Sequence, residues 1–290
     1  MSTPLRIASN LLSAEIAPVG AELVRLTGAD GAEFLWDGDP KWWSGQAPIL
    51  FPIIGTLNGD TYRWHGQEYE LQRHGFARRR TFEVVEHGES LLVLRLDADA
   101  LTHAMWPFDF RLDMRFAIEG ARLSVSADVT NRSESAMPVS FGFHPALRWP
   151  LPGASSKAGH VIHFAEPEPA PLRKLDKDGL IDPAPRATPV VGDRLSLDDS
   201  LFAEDALIFD QLRSRSLTYS GPGTPTITVD FPDMPDLGLW MKPGAGYLCI
   251  EPWQGYADPQ GFSGALDEKP GMVSLAPAEM RSFEIGIAIG

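Results

Sequence analysis

The stretch Arg111-Leu112-Asp113-Met114-Arg115-Phe116-Ala117-Ile118-Glu119-Gly120 decides the fold class of this chain. Its apolar side chains stand at every second position, which is typical of a β-strand with one buried face. Glu119-Gly120 is a turn signal, and the alternation resumes from Leu123 to Val129. Two alternating runs joined by a short turn predict a pair of antiparallel strands.

The same period of two recurs along the chain, at residues 81–85, 91–96, 226–231, 247–250 and 283–287. Helical periodicity is confined to residues 98–105, where Pro107 ends a short predicted helix. With 27 glycines and 25 prolines, turns recur too often for long helices. We therefore expect an all-β protein, built as a large antiparallel sandwich.

Residues 151–189 interrupt this pattern. They are rich in proline, alanine and charge, and they predict a long irregular loop or a strand insertion. Strand-like alternation resumes on both sides, so no domain boundary is expected there. Because a sandwich of 290 residues can form one unit, we expect a single domain over residues 1–290.

Composition and charge limit the possible partners. The formal charge of −14 argues against nucleic acid and anionic membrane surfaces. The one cysteine, Cys249, allows no intrachain disulfide and favours a reducing compartment. Residues 1–10 carry no signal-peptide pattern, and the apolar runs are far shorter than a membrane span. We expect a cytoplasmic protein and leave its oligomeric state open.

Glu251 is the first candidate for chemistry, because it follows a short apolar run that should be a buried strand. Pro252 predicts the end of that strand, which would place the carboxylate at the rim of a sheet. Cys249 shares its face by the period of two. A surface glutamate paired with arginine explains the pattern equally well. Trp253 could stack on a sugar ring or simply fill the core.

Two histidines also stand in aromatic runs. His144 precedes Pro145, which favours extended backbone and predicts that this histidine ends a strand. A core histidine with satisfied hydrogen bonds is the ordinary alternative. His74 and Arg78 stand at alternate positions and predict one strand face. An arginine beside a histidine points to an oxygen-rich ligand.

Two other sequence patterns, one typical of metal sites and one of dinucleotide-binding loops, are incomplete. His160 and His163 have a spacing seen in metal sites, but an offset of three puts the two rings on opposite faces of a strand. Gly221-Pro222-Gly223 does not continue as a dinucleotide-binding loop. No metal and no cofactor are expected.

Seven short segments together resemble a known family. They are residues 47–55, 59–62, 74–78, 141–144, 205–209, 250–255 and 268–271. In this order they resemble the aldose 1-epimerase (galactose mutarotase-like) superfamily, particularly its shorter bacterial branch with the hexose-6-phosphate epimerase-like proteins. The resemblance covers nearly the whole chain. It implies a large β-supersandwich whose site lies on the concave face of one sheet.

The resemblance also implies roles for single residues. Glu251 would be the general base and His144 the general acid, while His74 helps to bind the sugar ring. Asp205 matches an aspartate that contacts sugar hydroxyls, and Arg78 matches an arginine that follows the first histidine. Asp210 is the fallback if the register at Asp205 differs. The implied partner is a small aldose or sugar phosphate, and no cofactor is needed.

One position departs from the family pattern. Thr56 stands where the family usually has an arginine that helps to hold the substrate. A threonine would leave space and remove one charge near the site, which should shift the substrate preference. Arg73, Arg78, Arg79 or Arg80 could supply the missing charge. Three functions stay open: an aldose 1-epimerase, a hexose-6-phosphate 1-epimerase, and a non-catalytic carbohydrate-binding protein.

Overall fold

β-Strands dominate the computed structural model of the protein, which describes residues 3–290, and its helical pieces are short. Met1 and Ser2, the start of the segment considered as a leader, lie outside the described residues. No helix within residues 3–290 has the length and apolar character needed to cross a lipid bilayer.

The strands, in chain order, are β1 (Leu5–Ala8), β2 (Leu12–Ala17), β3 (Glu22–Gly28), β4 (Ile49–Leu50), β5 (Thr61–Trp64), β6 (Gln67–Glu70), β7 (Glu83–His87), β8 (Leu91–Asp97), β9 (Phe110–Glu119), β10 (Arg122–Asn131), β11 (Met137–Val139), β12 (Phe141–Phe143), β13 (Ala146–Arg148), β14 (Val161–Phe164), β15 (Arg194–Ser196), β16 (Leu207–Phe209), β17 (Ser216–Ser220), β18 (Ile227–Asp230), β19 (Asp236–Trp240), β20 (Tyr247–Gln254), β21 (Val273–Leu275) and β22 (Met280–Ile289). The α-helix is α1 (Ala100–Met105), and the 3₁₀ turns are Asn58–Asp60, Ala77–Arg79, Asp199–Phe202 and Leu266–Glu268.

The largest sheet has nine strands in the order β15-β14-β17-β18-β22-β10-β9-β8-β7. At its centre β9 and β10 pair antiparallel, with Leu123 opposite Ile118 and Val129 opposite Leu112. Apolar side chains at alternate positions of both strands are buried. The hairpin predicted from the alternating stretch is therefore confirmed.

A six-stranded sheet packs against the large one. Its order is β16-β19-β20-β12-β4, and β13 adds to β20. All eight residues of the central strand β20 are buried. Phe141 of β12 stacks on Phe283 of β22 with ring centroids 5.4 Å apart, and one apolar core fills the space between the sheets. The fold is thus an all-β antiparallel sandwich, as predicted.

Two expectations about shorter elements need adjustment. The predicted helix begins at Ala100, two residues later than expected, because Asp99 caps it with a side-chain hydrogen bond from the Thr102 N–H. Residues 151–189, expected as an irregular loop or strand insertion, contribute β14 to the large sheet. The remainder of that segment holds only isolated bridges, such as Leu175 with Ile181.

The strand predicted around His74 is wrong. His74 and Gly75 both have left-handed backbone, with φ of 65° and 67°, and a 3₁₀ turn follows at Ala77–Arg79. A Cβ on Gly75 would lie 2.1 Å from the carbonyl oxygen of Phe51. The chain thus turns sharply against Phe51, and this close approach excludes an extended strand.

The predicted end of a strand at Pro252 is also wrong, because β20 continues to Gln254. The ladder between β12 and β20 joins Phe141 to Gln254 and Gly142 to Trp253, and it stops there. Pro252 has no N–H to donate, and it lies where this ladder ends. The proline is therefore tolerated inside a central strand, and Glu251 lies on the sheet and not at its rim.

Candidate active site

All five residues proposed from the sequence line one cavity of about 260 Å³: Glu251, His144, His74, Asp205 and Arg78. The fallback residue Asp210 does not line it. The Asp210 carboxylate instead accepts a hydrogen bond from Arg173 Nε at 2.9 Å. Of the two aspartates considered, Asp205 is the one that lines the cavity.

A buried pair of ionisable groups forms the floor of the cavity. Glu251 lies on β20 opposite Gly238 of β19, and its side chain is only 2% exposed. His144 directly follows β12, and its Nε2 lies 3.2 Å from Glu251 Oε2. The other ring nitrogen of His144, Nδ1, has no hydrogen-bond partner among the described residues. The geometry allows one proton to pass between histidine and glutamate.

Aromatic rings hold the His144 imidazole in place. The Trp43 ring lies at 4.9 Å with an angle of 30° between the planes, and the Trp240 ring meets it edge-on at 5.9 Å. These two tryptophans also contact each other at 5.6 Å. The imidazole is thus fixed by packing and largely removed from water.

The indole of Trp253 lies flat across two neighbouring strands, because both carry glycine beneath it. A Cβ on Gly142 would be 2.6 Å from the Trp253 ring, and a Cβ on Gly238 would be 2.5 Å from it. Trp253 stands two residues after Glu251, on the same face of β20. The Trp253 side chain also acts on Glu251, since its hydrogen bond lowers the pKa of that carboxyl against the effect of burial.

Burial moves the pKa values of the pair in opposite directions. It raises the pKa of Glu251 well above its usual range, although the nearby Arg73 charge opposes this. Burial lowers the pKa of His144 to about 3, and the charges of Arg78 and Arg73 add to the effect. An ionised Glu251 would by itself favour the His144 cation. Burial and the charges of the two arginines outweigh this attraction. Without substrate, the pair therefore consists of a protonated Glu251 and a neutral His144.

His74 stands between two hydrogen-bond donors. The backbone N–H of Gly55 donates to its Nδ1 at 3.1 Å, and Arg73 Nε–H faces its Nε2 at 3.1 Å. Burial and then the Arg73 charge lower the pKa of His74 well below its usual range. Because a neutral imidazole accepts at only one nitrogen, both contacts cannot hold at once. A ligand oxygen can therefore replace one of them.

Arg78 and Asp205 complete the polar lining from turns of the chain. Arg78 belongs to the 3₁₀ turn Ala77–Arg79, and its guanidinium has no ion-pair partner within the described part of the chain. Burial lowers its pKa, and the charge of Arg79 adds to this. Asp205 has φ of 64°, and its Oδ1 accepts from the Ala206 N–H at 2.7 Å. One cation and one carboxylate thus face the cavity beside the buried pair.

The other residues that line the cavity include Arg73, Trp43 and Trp240, which sequence reasoning did not assign to it. Arg73 stood only among several possible substitutes for the missing arginine. Trp43 offered a signal, because the adjacent Trp42-Trp43 lies outside any alternating run. Thr56 does not line the cavity, and its Oγ1 would lie 2.8 Å from a Cβ on Gly179 of the hairpin at residues 175–181. On that side there is no space for a larger side chain.

Two groups of residues that include histidine could be considered as metal ligands. His160 and His163 do not act together, because His160 Nε2 accepts from the Leu151 N–H while His163 faces Asp193. In contrast, one ligand atom each of His144, Cys249 and Glu251 lie within 4.8 Å of one another. Burial raises the pKa of the Cys249 thiol well above its usual range.

Comparison with known proteins places the chain in a family. The sequence pattern of aldose 1-epimerase matches residues 5–287. Protein LacX from the plasmid of Lactococcus lactis subsp. lactis is 32% identical, over 98% of this chain and 99% of that protein. Solved structures resemble the chain as well.

A galactose mutarotase related enzyme of Lactobacillus acidophilus has a TM-score of 0.90 and 29% identity, and the match covers 99% of this chain and 97% of the other. A galactose mutarotase-like protein of Lactobacillus casei has a TM-score of 0.92 and 28% identity, covering 99% and 100%. The fold is galactose mutarotase-like, and the chain belongs to the aldose 1-epimerase family.

Proposed function

We propose that the protein is an aldose 1-epimerase, which interconverts the α and β anomers of an aldose without a cofactor. The observation that supports this most is the buried Glu251–His144 pair with its 3.2 Å contact. The pair lies in a cavity of about 260 Å³, slightly below the ~300–1,000 Å³ of typical ligand sites. That size is enough to hold one sugar ring.

Ring opening needs a base at the C1 hydroxyl and an acid at the ring oxygen. The form of the pair that catalyses this step is the Glu251 carboxylate with the His144 imidazolium, which arises when the proton of Glu251 passes to His144 across their 3.2 Å contact. Glu251 then takes the proton of the C1 hydroxyl while His144 protonates the ring oxygen, and the C1–O5 bond breaks. The free aldehyde rotates about C1–C2 and closes on its other face. Protons move back in the reverse order, so the pair returns to its starting state.

The shifted pKa values support this assignment. A carboxylate with a raised pKa is a stronger base, and an imidazolium with a lowered pKa is a stronger acid. The charged form of the pair is therefore more reactive both as a base and as an acid, and the same pKa shifts make it the less populated form. General acid–base catalysis of this kind is worth roughly 10²–10⁴-fold.

The remaining polar groups have binding roles in this proposal. His74 is held neutral, so it can accept or donate one hydrogen bond but cannot act as a cationic acid. Arg78 donates to sugar oxygens, and Asp205 accepts from sugar hydroxyls. The Trp253 ring offers its face to the apolar side of the sugar ring. Together they hold the ring oxygen toward His144.

An anomer-exchange assay tests the proposal. Polarimetry and NMR exchange spectroscopy on a panel of aldoses should show acceleration over the buffer rate. Glu251→Gln, which keeps the shape but removes the base, should lower the rate by at least ~10²-fold. Binding of sugars without any acceleration by the parent protein would favour the carbohydrate-binding alternative.

A second candidate is a 1-epimerase for hexose 6-phosphates, favoured by two cavity arginines without acidic partners. Arg79 donates to the Gly75 carbonyl oxygen, and Arg80 pairs with Asp99, so both are already engaged. Arg73 and Arg78 face the cavity and could bind a phosphate. The ratio of kcat/KM for a hexose and its 6-phosphate decides between the two, and Arg78→Ala should lower the phosphate value more.

A further inference from the structure

The single cysteine of the chain lies beside the proposed catalytic pair. Cys249 and Glu251 are two residues apart on β20 and share a face, while His144 approaches from the end of β12. The thiol sulfur, a carboxylate oxygen and a ring nitrogen of these three buried residues lie within 4.8 Å of one another. Such a set of donors is what a small cation binds.

The distances suit a tetrahedral cation. Bonds of ~2.0–2.1 Å from Zn²⁺ to nitrogen and oxygen put two such ligands ~3.3 Å apart on a tetrahedron. His144 Nε2 and Glu251 Oε2 are 3.2 Å apart. A thiolate bound at ~2.3 Å would lie ~3.5 Å from each of them, so a sulfur that starts as much as 4.8 Å away has to move by up to ~1.3 Å.

The donor set also selects the kind of cation. Thiolate and imidazole favour Zn²⁺ and Co²⁺, whereas Mg²⁺ and Ca²⁺ require oxygen ligands. His144 and Glu251 both line the cavity, so the fourth position of the cation opens into it. A water molecule or a sugar hydroxyl would complete the tetrahedron.

We propose that His144, Cys249 and Glu251 form an inhibitory site for Zn²⁺ or a cation of similar softness. The cation would occupy the nitrogen and the oxygen that move the proton in the epimerase reaction. Inhibition therefore rests on the proposed function, whereas binding of the cation does not. The two parts can be tested separately.

Cobalt spectroscopy tests the binding without any activity measurement. Because the chain has one cysteine, a thiolate-to-cobalt charge-transfer band can arise only at Cys249. Co²⁺ added to the full-length, untagged protein should give this band with one equivalent bound, and Zn²⁺ should displace it. Failure of the parent protein to show the band at saturating Co²⁺ would overturn the proposal.

Variants distinguish a three-ligand site from a thiol acting alone. Cys249→Ser should abolish the band, and His144→Asn should weaken Co²⁺ binding at least tenfold. His163→Asn is the matched control, since His163 is an exposed histidine on β14, and it should leave the band unchanged. An unchanged affinity in His144→Asn would remove histidine from the site and refute the assignment.

Inhibition is then measured on a sugar that the parent protein epimerises. Zn²⁺ should slow anomer exchange, a chelator should restore it, and Cys249→Ser should need at least tenfold more Zn²⁺. Full activity with Zn²⁺ bound would overturn the inhibitory role. If no sugar is epimerised at all, the proposed function fails, while the cobalt band still decides whether the site exists.

Discussion

The side chain of Thr56 fits against Gly179, with Thr56 Oγ1 2.8 Å from the point that a Gly179 Cβ would occupy. Gly179 has φ of 79° in the hairpin closed by the bridge between Leu175 and Ile181. Leu175 lines the cavity, so this hairpin forms part of its wall. The small residues at positions 56 and 179 thus let the hairpin close over the site.

Thr56→Arg should therefore displace the hairpin, and it should not restore a sugar contact. We expect a loss of ~1–3 kcal/mol in the free energy of unfolding, as for other overpacked sites, together with a raised KM. Denaturant unfolding and anomer-exchange kinetics measure the two effects. Thr56→Ser is the control and should change neither strongly. A lower KM in Thr56→Arg would contradict this prediction, because it would show that the hairpin can move aside without weakening substrate binding.

The pH profile should show no rise in kcat/KM as the pH increases through the pKa of free imidazole, ~6.5. Burial lowers the pKa of His144 to about 3, so the pair gains a second proton only in strong acid. Burial raises the pKa of Glu251, so the pair loses its one proton only well above the usual carboxyl range. Between these limits kcat/KM should be flat. The measurement is anomer exchange with a chelator present, corrected for the buffer rate, and a rise of kcat/KM through pH ~6.5 would contradict the prediction.

His144 and His74 should differ in what they contribute. His144→Asn deletes the proton donor to the ring oxygen, and we expect kcat to fall by ~10²–10⁴-fold. His74→Asn removes one hydrogen bond to the sugar, which should raise KM by ~10-fold and change kcat little. Steady-state kinetics on one aldose compares both variants with the parent. Equal effects on KM alone would take the acid role away from His144.

A methyl group beneath Trp253 should disturb the site without touching a polar residue. Gly238→Ala would place its Cβ 2.5 Å from the indole, so the ring must tilt off the sheet. We expect a loss of ~1–3 kcal/mol in stability and a raised KM. Gly88→Ala is the matched control, because its Cβ would meet no atom closer than 3.7 Å. Thermal unfolding measures the stability, and steady-state kinetics measures the KM. If Gly238→Ala and Gly88→Ala behave alike, the position of the Trp253 ring does not depend on the glycine beneath it.

The strands could be predicted from sequence because their alternation is a local property. The β9–β10 hairpin is clear from Leu112 to Val129, since each apolar position identifies its own face. The turn at His74 could not be predicted, because it depends on Phe51, more than twenty residues earlier in the chain. Period-two reasoning still put His74 and Arg78 together, although a sharp turn and a 3₁₀ turn bring them to the cavity instead of a strand.

The electrostatics of the site were harder to predict than its members. Glu251 and His144 stood out as ionisable residues in apolar runs, and the cavity contains both. The direction of the His144 shift depends on the depth of burial and on Arg73 and Arg78 together. Both the burial of His144 and its distance from the two arginines are set by segments that meet only in the folded chain. No local sequence pattern can therefore predict the direction of the shift.

The position of β22 has a consequence for how the protein is made. This strand pairs with β10 on one side and with β18 on the other, so it joins segments 83–131 and 161–230 into one sheet. It follows every other strand in chain order. During synthesis the two half-sheets therefore wait with unpaired edges, which can associate wrongly with other chains until β22 emerges.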